Sequence, residues 1–191
     1  MFVVARSAHL GTFYGLTCAG IYRIIAQPMT ILGIDTSLRS TGYGVLEVKG
    51  SRMRMLDCGN VRNAPKVPLT GCLRAIHAKV AELIVQHSPD VMAIESVIYG
   101  KNAGTMLVLG EARGAVLTAA ADAELPVYEY EPRRMKKAVC GNGMAEKEQI
   151  QRMVKTYLGL DGLPQNDAAD ALGLAICHAH SHSLISADKP I

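Results

Sequence analysis

Two short apolar runs that end in an acidic residue constrain the fold of this chain more than any other feature. The first is ILGID at residues 31–35, and the second is VMAIE at residues 91–95. Continuous apolar runs of this length are typical of strands buried in a sheet. A carboxylate that ends such a strand is costly to bury without a partner. The runs therefore predict two core strands that bring Asp35 and Glu95 to one edge of a sheet.

The periodicity of the other segments predicts an α/β fold. We expect strands at 30–35, 41–48, 52–61, 91–95 and 126–130, and helices at 69–87, 103–123, 131–139, 145–158 and 164–180. Gly50-Ser51 suits a hairpin turn between the second and third strands. Gly42 and Gly44 would weaken the second strand unless another segment approaches its backbone closely. This order indicates a mixed sheet with helices on both faces and right-handed crossovers between parallel strands.

Length and composition fit a single domain. The 191 residues are 49% hydrophobic and 19% charged, which is enough to bury one core. We expect residues 29–183 to form the domain, 184–191 to be a short tail and 1–28 to be an extension outside the fold, with Met29 as a candidate start. The extension contains no apolar run near the roughly 20 residues of a membrane span. Its glycines also argue against a secretory signal.

Charge and cysteine content set weaker limits. The net charge of +3 permits a polyanionic partner without indicating one. The five cysteines are odd in number and contain neither a C-x-x-C pair nor zinc-ligand spacing, so we expect small buried side chains. A reducing cytoplasm fits this pattern best.

Two further acids, Asp167 and Asp170 in NDAADAL, share one face of the last predicted helix because they are three residues apart. Each acid alone has an ordinary structural alternative: Asp35 could begin a turn, and Asp167 could cap the helix in competition with Asn166. As a set, however, carboxylates collected from two strands and a helix suit hard divalent cations. The set predicts a metal-dependent phosphotransfer enzyme or nuclease.

Five motifs in order resemble the RuvC Holliday-junction endonucleases of the RNase H-like superfamily. They are GIDTSLRSTGYG, AIESVIYGKN, LGEARG, EYEPRRMKKAVCGNGMAEK and NDAADALGLAICH, spanning roughly residues 30 to 182. The resemblance implies an RNase H-like mixed five-stranded sheet with strand order 3-2-1-4-5. It also implies that the four acids Asp35, Glu95, Asp167 and Asp170 are a catalytic tetrad that binds divalent metal.

The same resemblance implies a Mg²⁺-dependent, structure-selective endonuclease that resolves four-way DNA junctions by paired symmetric nicks in recombination and repair. Two Mg²⁺ ions per active site, with Mn²⁺ able to substitute, would support in-line phosphodiester hydrolysis. The implied partners are junction DNA, a second copy of the chain and branch-migration proteins of the RuvA and RuvB type. No membrane association is expected, and the implied location is the cytoplasm.

DNA binding is expected from the most basic window of the chain, residues 131–152. Arg133, Lys136 and Lys137 lie on one face of a predicted helix, and Lys147 lies at the start of the next, where backbone N–H groups favour phosphate. A solvated charged face is the alternative for any single lysine. The resemblance singles out Lys136 and Lys147 as phosphate contacts.

The segment after Glu95 departs from the resemblance. Relatives often carry an aromatic residue three positions beyond this glutamate, where it stacks on bases of the opened junction, whereas this chain has Ile98 there and Tyr99 next. Tyr99 would then serve as the stacking platform, or Ile98 as an apolar wedge. A buried tyrosine with a satisfied hydroxyl is the alternative.

The predicted helix 103–123 is apolar around more than one face, which is wider than a surface helix requires. Its apolar residues are Met106, Leu107, Val108, Leu109, Val116 and Leu117. A two-fold dimer, which the resemblance implies, would cover a second face; a helix buried within the monomer is the alternative. Further along, His178, His180 and His182 are interpreted as helix-end residues because their spacing turns His180 away from the other two.

Rival functional classes explain less of the sequence. GIDTSLRSTG also resembles the phosphate loop of actin-like ATPases and sugar kinases, but those proteins need a second related domain and another glycine-rich loop. A DNA-binding relative without catalysis would not need all four acids. An RNase H-like enzyme that processes ribosomal RNA would leave the long apolar helix with LGEARG unexplained.

Overall fold

The computed structural model describes residues 28–97, 102–183 and 189–191. These residues form five strands and five helices in the predicted alternation. The strands are β1 (Met29–Asp35), β2 (Ser40–Lys49), β3 (Arg52–Arg62), β4 (Val91–Glu95) and β5 (Val127–Tyr130), and the helices are α1 (Leu69–His87), α2 (Ala103–Asp122), α3 (Pro132–Cys140), α4 (Lys147–Leu158) and α5 (Asn166–Ser183).

The strands form one mixed sheet in the order β3-β2-β1-β4-β5, which confirms the expected topology. β2 is antiparallel to both β1 and β3, whereas β4 is parallel to β1 and β5 is parallel to β4. The hairpin between β2 and β3 turns at Gly50, whose φ of 60° lies in the left-handed region that glycine adopts at little cost. The parallel pairs place the carboxyl ends of β1, β4 and β5 at a common edge of the sheet.

Helices cover both faces of the sheet. Because successive residues of a strand point to opposite faces, Ile31 enters one apolar cluster and Leu32 enters the other. The cluster around Leu32 includes Ile76 of α1 and Val116 of α2. The cluster around Ile31 is filled from α3, α4 and α5, including Leu172. The sheet is therefore the middle layer of three.

Three glycines allow α5 to lie directly on β1 and β2. A Cβ atom at Gly33 would stand 2.0 Å from the carbonyl oxygen of Ala171, and one at Gly42 would stand 2.1 Å from that of Asp167. A Cβ at Gly44 would meet a leucine side chain of α5 at 2.6 Å. The expected close approach to this strand is therefore made by α5, and it sets Asp167 against the sheet.

Two predicted helix starts were wrong by two residues, and the last helix ends at Ser183 rather than at 180. The last helix begins at Asn166 rather than at 164. The carbonyl of Pro164 instead accepts a hydrogen bond of 2.7 Å from the Gln151 side chain, so this residue belongs to the connection. The helix expected from 145 begins at Lys147, because Ala145 is buried in the preceding turn.

The cysteines behave as small side chains of the interior. Among the described residues, Cys72 and Cys177 are buried, and Cys58 and Cys140 are partly buried. No helix in the part of the chain that the structure describes is long and apolar enough to cross a membrane. Of the segments expected to lie outside the domain, residues 1–27 and 184–188 fall outside the described ranges, so those domain limits stay predictions.

Candidate active site and DNA-binding face

Asp35 and Glu95 lie side by side at one edge of the sheet. In the parallel β1–β4 pair, Ile34 is in register with Ile94, so the acidic residues that end both strands are neighbours. This is the edge at which open α/β sheets place their ligands. The first turns of α5 pass over the same edge and supply Asp167 and Asp170.

The electrostatics of Asp35 show that the four acids share one site. Burial, followed by the neighbouring charges of Glu95, Asp170 and Asp167, raises the pKa of Asp35 to about 7. The positive charge of Lys147 opposes them. Burial and like charges both disfavour ionisation of a carboxyl group. The structure therefore brings together the acids that the sequence placed on separate elements.

The pKa values of Glu95 and Asp170 are shifted by the same kinds of neighbours. The pKa of Glu95 is raised by burial and by the charge of Asp170, while Lys136 and Lys147 lower it. The pKa of Asp170 is also raised, mainly by burial, with the same two lysines acting against the shift. These lysines are the positive charges that partly balance a crowded negative site.

The donor set fits hard divalent cations. Within the described ranges, no group of three or more His, Cys, Asp or Glu side chains is placed so that it could hold a metal ion. Mg²⁺ needs fewer protein ligands than this, because it keeps several waters and takes only one or two carboxylates alongside substrate phosphates. Two further oxygens, Thr36 Oγ1 and Asn60 Oδ1, are buried in this region without a hydrogen-bond partner among the described residues. Oxygen ligands and uncompensated negative charge are what such a cation requires.

Asp167 is held by two side chains that the sequence did not reveal. Its Oδ2 accepts hydrogen bonds from the hydroxyl of Ser40 and, at 2.8 Å, from Nδ2 of Asn60. The alternative that Asp167 caps its own helix is wrong, because this carboxylate oxygen is directed to the sheet. Ser40 and Asn60 carry no local signal, since they become neighbours only through the pairing of β2 with β3.

Glu95 is anchored through its backbone. The guanidinium of Arg113, which is nearly buried, donates from Nη1 to the carbonyl oxygen of Glu95 at 2.6 Å. Its Nη2 forms an ion pair with the carboxylate of Glu129 on β5. The arginine of LGEARG therefore ties α2 to the ends of β4 and β5. Arg113 is the one basic residue of this mostly apolar helix, and that was the signal that could have identified it.

The expected DNA-binding residues lie beside the acids on α3 and α4. Lys136 is partly buried, and its charge reaches Glu95 and Asp170. Lys147 is exposed at the first position of α4 and also reaches Asp35.

Arg133 and Lys137 are exposed on α3. Ile98 and Tyr99 lie outside the described residues, so their expected roles stay predictions.

The interpretation of the tail histidines requires one correction. His178 is a core residue, 1% exposed, rather than a helix-end residue. Its Nδ1 lies 2.7 Å from the hydroxyl of Tyr130 on β5, and its ring also packs near that of Tyr128. His180 is partly exposed and its ring packs edge-on to that of Tyr157.

Comparison with known proteins identifies the family. Residues 31–178 match the family described as crossover junction endodeoxyribonuclease RuvC. The chain belongs to the RuvC family. The protein of that name from Aliivibrio salmonicida is 50% identical over 157 residues, which cover 82% of this chain and 90% of that protein. As a RuvC family member, the protein is an endodeoxyribonuclease.

Solved structures agree with this assignment. A structure of Thermus thermophilus RuvC in complex with a Holliday junction substrate has a TM-score of 0.79 and 36% sequence identity, covering 85% of this chain and 99% of that one. The yeast mitochondrial Holliday junction resolvase Ydc2 has a TM-score of 0.55 at 11% identity, so its likeness concerns the fold alone. The fold of this chain is therefore the RNase H-like fold implied by its motifs.

Proposed function

We propose that this protein resolves four-way DNA junctions by paired nicks, with Asp35, Glu95, Asp167 and Asp170 as ligands of two Mg²⁺ ions. The observation that carries the proposal is the convergence of these carboxylates, whose charges together help raise the pKa of Asp35 to about 7. A set of repelling acids is a poor structural element and a suitable cation site. The junction as substrate is supported by family membership and by the substrate named for the Thermus thermophilus structure.

Each part of the site has a chemical task. Bound divalent cations supply an activated water and neutralise the leaving oxygen in an in-line displacement. Asp35 is central to the site because the charges of the other three acids all raise its pKa. With a pKa of about 7, its carboxyl group is partly protonated at neutral pH, so cation binding displaces a proton from it. We therefore expect Mg²⁺ affinity to rise as the pH rises through 7, and isothermal titration at pH 6 and 8 would detect it.

Lys136 and Lys147 contact the phosphates of a DNA strand and place that strand next to the acids. Both charges reach the carboxylates, so a phosphate that contacts them lies at the edge of the metal site. Lys147 also begins a helix, where free backbone N–H groups attract anions. Arg133 and Lys137, exposed on α3, add to this basic surface.

The dimer interface is assigned to the exposed side of α2. Ala112, Val116 and Ala120 of α2 are buried, and α1 packs against this helix. Leu107 is 70% exposed and Val108 is 36% exposed in its first half. Exposed apolar residues in an otherwise packed helix are expected where a partner covers them. A two-fold partner would provide two active sites for two strands of one junction.

Two further proposals concern junction opening by residues outside the described ranges and the partner proteins. We assign junction opening to Ile98 or Tyr99, because they lie three and four residues beyond Glu95, the last residue of β4. The signal is the increase in 2-aminopurine fluorescence at the junction centre when the protein opens it. Loss of this increase in one alanine variant but not in the other would identify the residue, and no change in either would refute the assignment.

Branch-migration proteins of the RuvA and RuvB type are the proposed partners in the cytoplasm. Failure of the protein to co-sediment with them on junction DNA would contradict this proposal.

The proposed function is tested by comparing substrates. The protein is incubated with Mg²⁺ and a synthetic four-way junction, a linear duplex of the same sequence or an RNA–DNA hybrid. We expect paired, ligatable nicks in the junction only, with none when EDTA replaces Mg²⁺. Equal cleavage of the duplex, or cleavage of the hybrid alone, would overturn the proposal.

A further inference from the structure

We propose that Ser40 and Asn60 are positioning residues that orient Asp167 for cation binding. This inference rests on the proposed role of Asp167 as a metal ligand. We name the three residues the Asp167 clamp. The clamp joins the first turn of α5 to the ends of β2 and β3 that lie nearest the site.

The register of the sheet creates the clamp. In the antiparallel β2–β3 pair, Ser40 is opposite Arg62 and Gly42 is opposite Asn60, so Ser40 and Asn60 are diagonal neighbours. Gly42 has no side chain, and the backbone of Asp167 occupies that space. The aspartate side chain is thereby held within reach of both strands.

The hydrogen bonds of the clamp use each available proton. The Ser40 hydroxyl donates to Oδ2 of Asp167, and Nδ2 of Asn60 donates both to this oxygen at 2.8 Å and to Ser40 Oγ at 3.1 Å. This pattern sets the amide orientation, because a reversed amide would place Oδ1 of Asn60 against the carboxylate with no proton between them. Both donors act on Oδ2, so Oδ1 of Asp167 is the oxygen that a cation would take.

The orientation of the Asp167 side chain matters because the neighbouring carboxylates repel it. The charge of Asp167 raises the pKa values of Asp35 and Asp170, which means that all three carboxylates repel one another. An aspartate on a first helical turn could rotate away from that repulsion if nothing held it. Mg²⁺ requires near-ideal octahedral ligand positions, so rotation would weaken its binding. Residues that fix a metal ligand typically change metal affinity or activity by about 10–100-fold when they are removed.

A purely structural role would have different consequences. If Ser40 and Asn60 only fastened α5 to the sheet, their loss would lower stability and leave cation affinity intact. If they orient Asp167, their loss would weaken cation binding even when the protein stays folded. Cation binding without DNA therefore separates the two roles.

The test uses four variants of the full chain: Ser40→Ala, Asn60→Ala, the double variant and Ser40→Thr, which keeps the hydroxyl. Mn²⁺ binding to the DNA-free protein is measured by electron paramagnetic resonance, together with thermal unfolding in EDTA and the dissociation constant for a junction. We expect each alanine variant to bind Mn²⁺ about 10-fold more weakly, with junction affinity unchanged and with Ser40→Thr close to the original protein.

The outcomes distinguish the clamp from the proposed function. Unchanged Mn²⁺ affinity in the folded alanine variants would overturn the clamp, whether or not their stability falls. If the double variant does not fold, Ser40→Ala against Ser40→Thr decides the question in the same way. Asp167→Asn serves as the reference. If this variant loses junction cleavage while the clamp variants keep the original Mn²⁺ affinity, the clamp alone is refuted. If Asp167→Asn cleaves the junction at the original rate, the role of Asp167 itself is refuted.

Discussion

Replacing Asp35 by Asn should stabilise the cation-free protein at neutral and alkaline pH. Burial and the charges of Glu95, Asp170 and Asp167 raise the pKa of Asp35 from 3.8 to about 7. The folded state therefore binds a proton more tightly than the unfolded chain does. Stability must fall as the pH rises from about 4 to about 7, and it stays low above that range.

The size of the effect follows from the same pKa values. At about 1.4 kcal/mol for each pKa unit, a rise from 3.8 to about 7 corresponds to about 4 kcal/mol of lost stability well above pH 7. The asparagine side chain still buries a polar amide, which costs about 1–3 kcal/mol without a full set of partners. We therefore expect the free energy of unfolding of Asp35→Asn to exceed that of the original protein by about 1–3 kcal/mol at pH 8.

Urea unfolding in EDTA at pH 5 and pH 8 measures this difference. The gain should be smaller at pH 5, where the carboxyl group of the folded protein is mostly protonated. Asp161→Asn is a matched control in an exposed loop, and it should change stability by no more than about 0.5 kcal/mol at either pH. An Asp35→Asn variant that is less stable than the original at pH 8 would refute the electrostatic account of the site.

Three further changes test other parts of the structure. Lys136→Ala with Lys147→Ala should reduce the slope of log affinity for junction DNA against log salt by about 1.8, because two phosphate contacts are lost, and an unchanged slope in fluorescence anisotropy would contradict this. Leu107→Asp should convert a dimer into monomers in size-exclusion chromatography with light scattering, whereas an intact dimer would exclude this face of α2 as the interface. Gly42→Ala should lower the free energy of unfolding by about 1–3 kcal/mol or more, because its Cβ would stand 2.1 Å from a carbonyl oxygen of α5, and a neutral effect in urea unfolding would refute that close approach.

Sequence reasoning located the acids because each follows a local pattern. Asp35 and Glu95 end apolar runs, and parallel strands necessarily bring such ends to one edge of the sheet. Asp167 and Asp170 share a helix face through their spacing alone. The alternation of elements predicted the mixed sheet, the resemblance to the RuvC family implied the order of its strands, and the structure confirmed both.

The residues that support these acids could not be found in that way. Ser40 and Asn60 meet Asp167 across 127 and 107 residues of chain, and the contacts depend on strand register and on the space left by Gly42. Arg113 faces Glu95 only because α2 packs beside the end of β4. Such contacts are products of tertiary packing, and no periodicity within one segment encodes them.

The central claim is that four carboxylates from separate segments act as one metal site for cutting junctions. The most direct measurement compares single Asp→Asn or Glu→Gln variants of Asp35, Glu95, Asp167 and Asp170 in Mg²⁺-dependent junction cleavage under single-turnover conditions, together with their junction dissociation constants. Because even residues that only support a metal ligand change activity by about 10–100-fold, each variant should lose at least about 100-fold in cleavage rate while binding the junction as tightly as the original protein. A variant that cleaves at the original rate in saturating Mg²⁺ would contradict the claim for that residue, and two such variants would contradict a shared site.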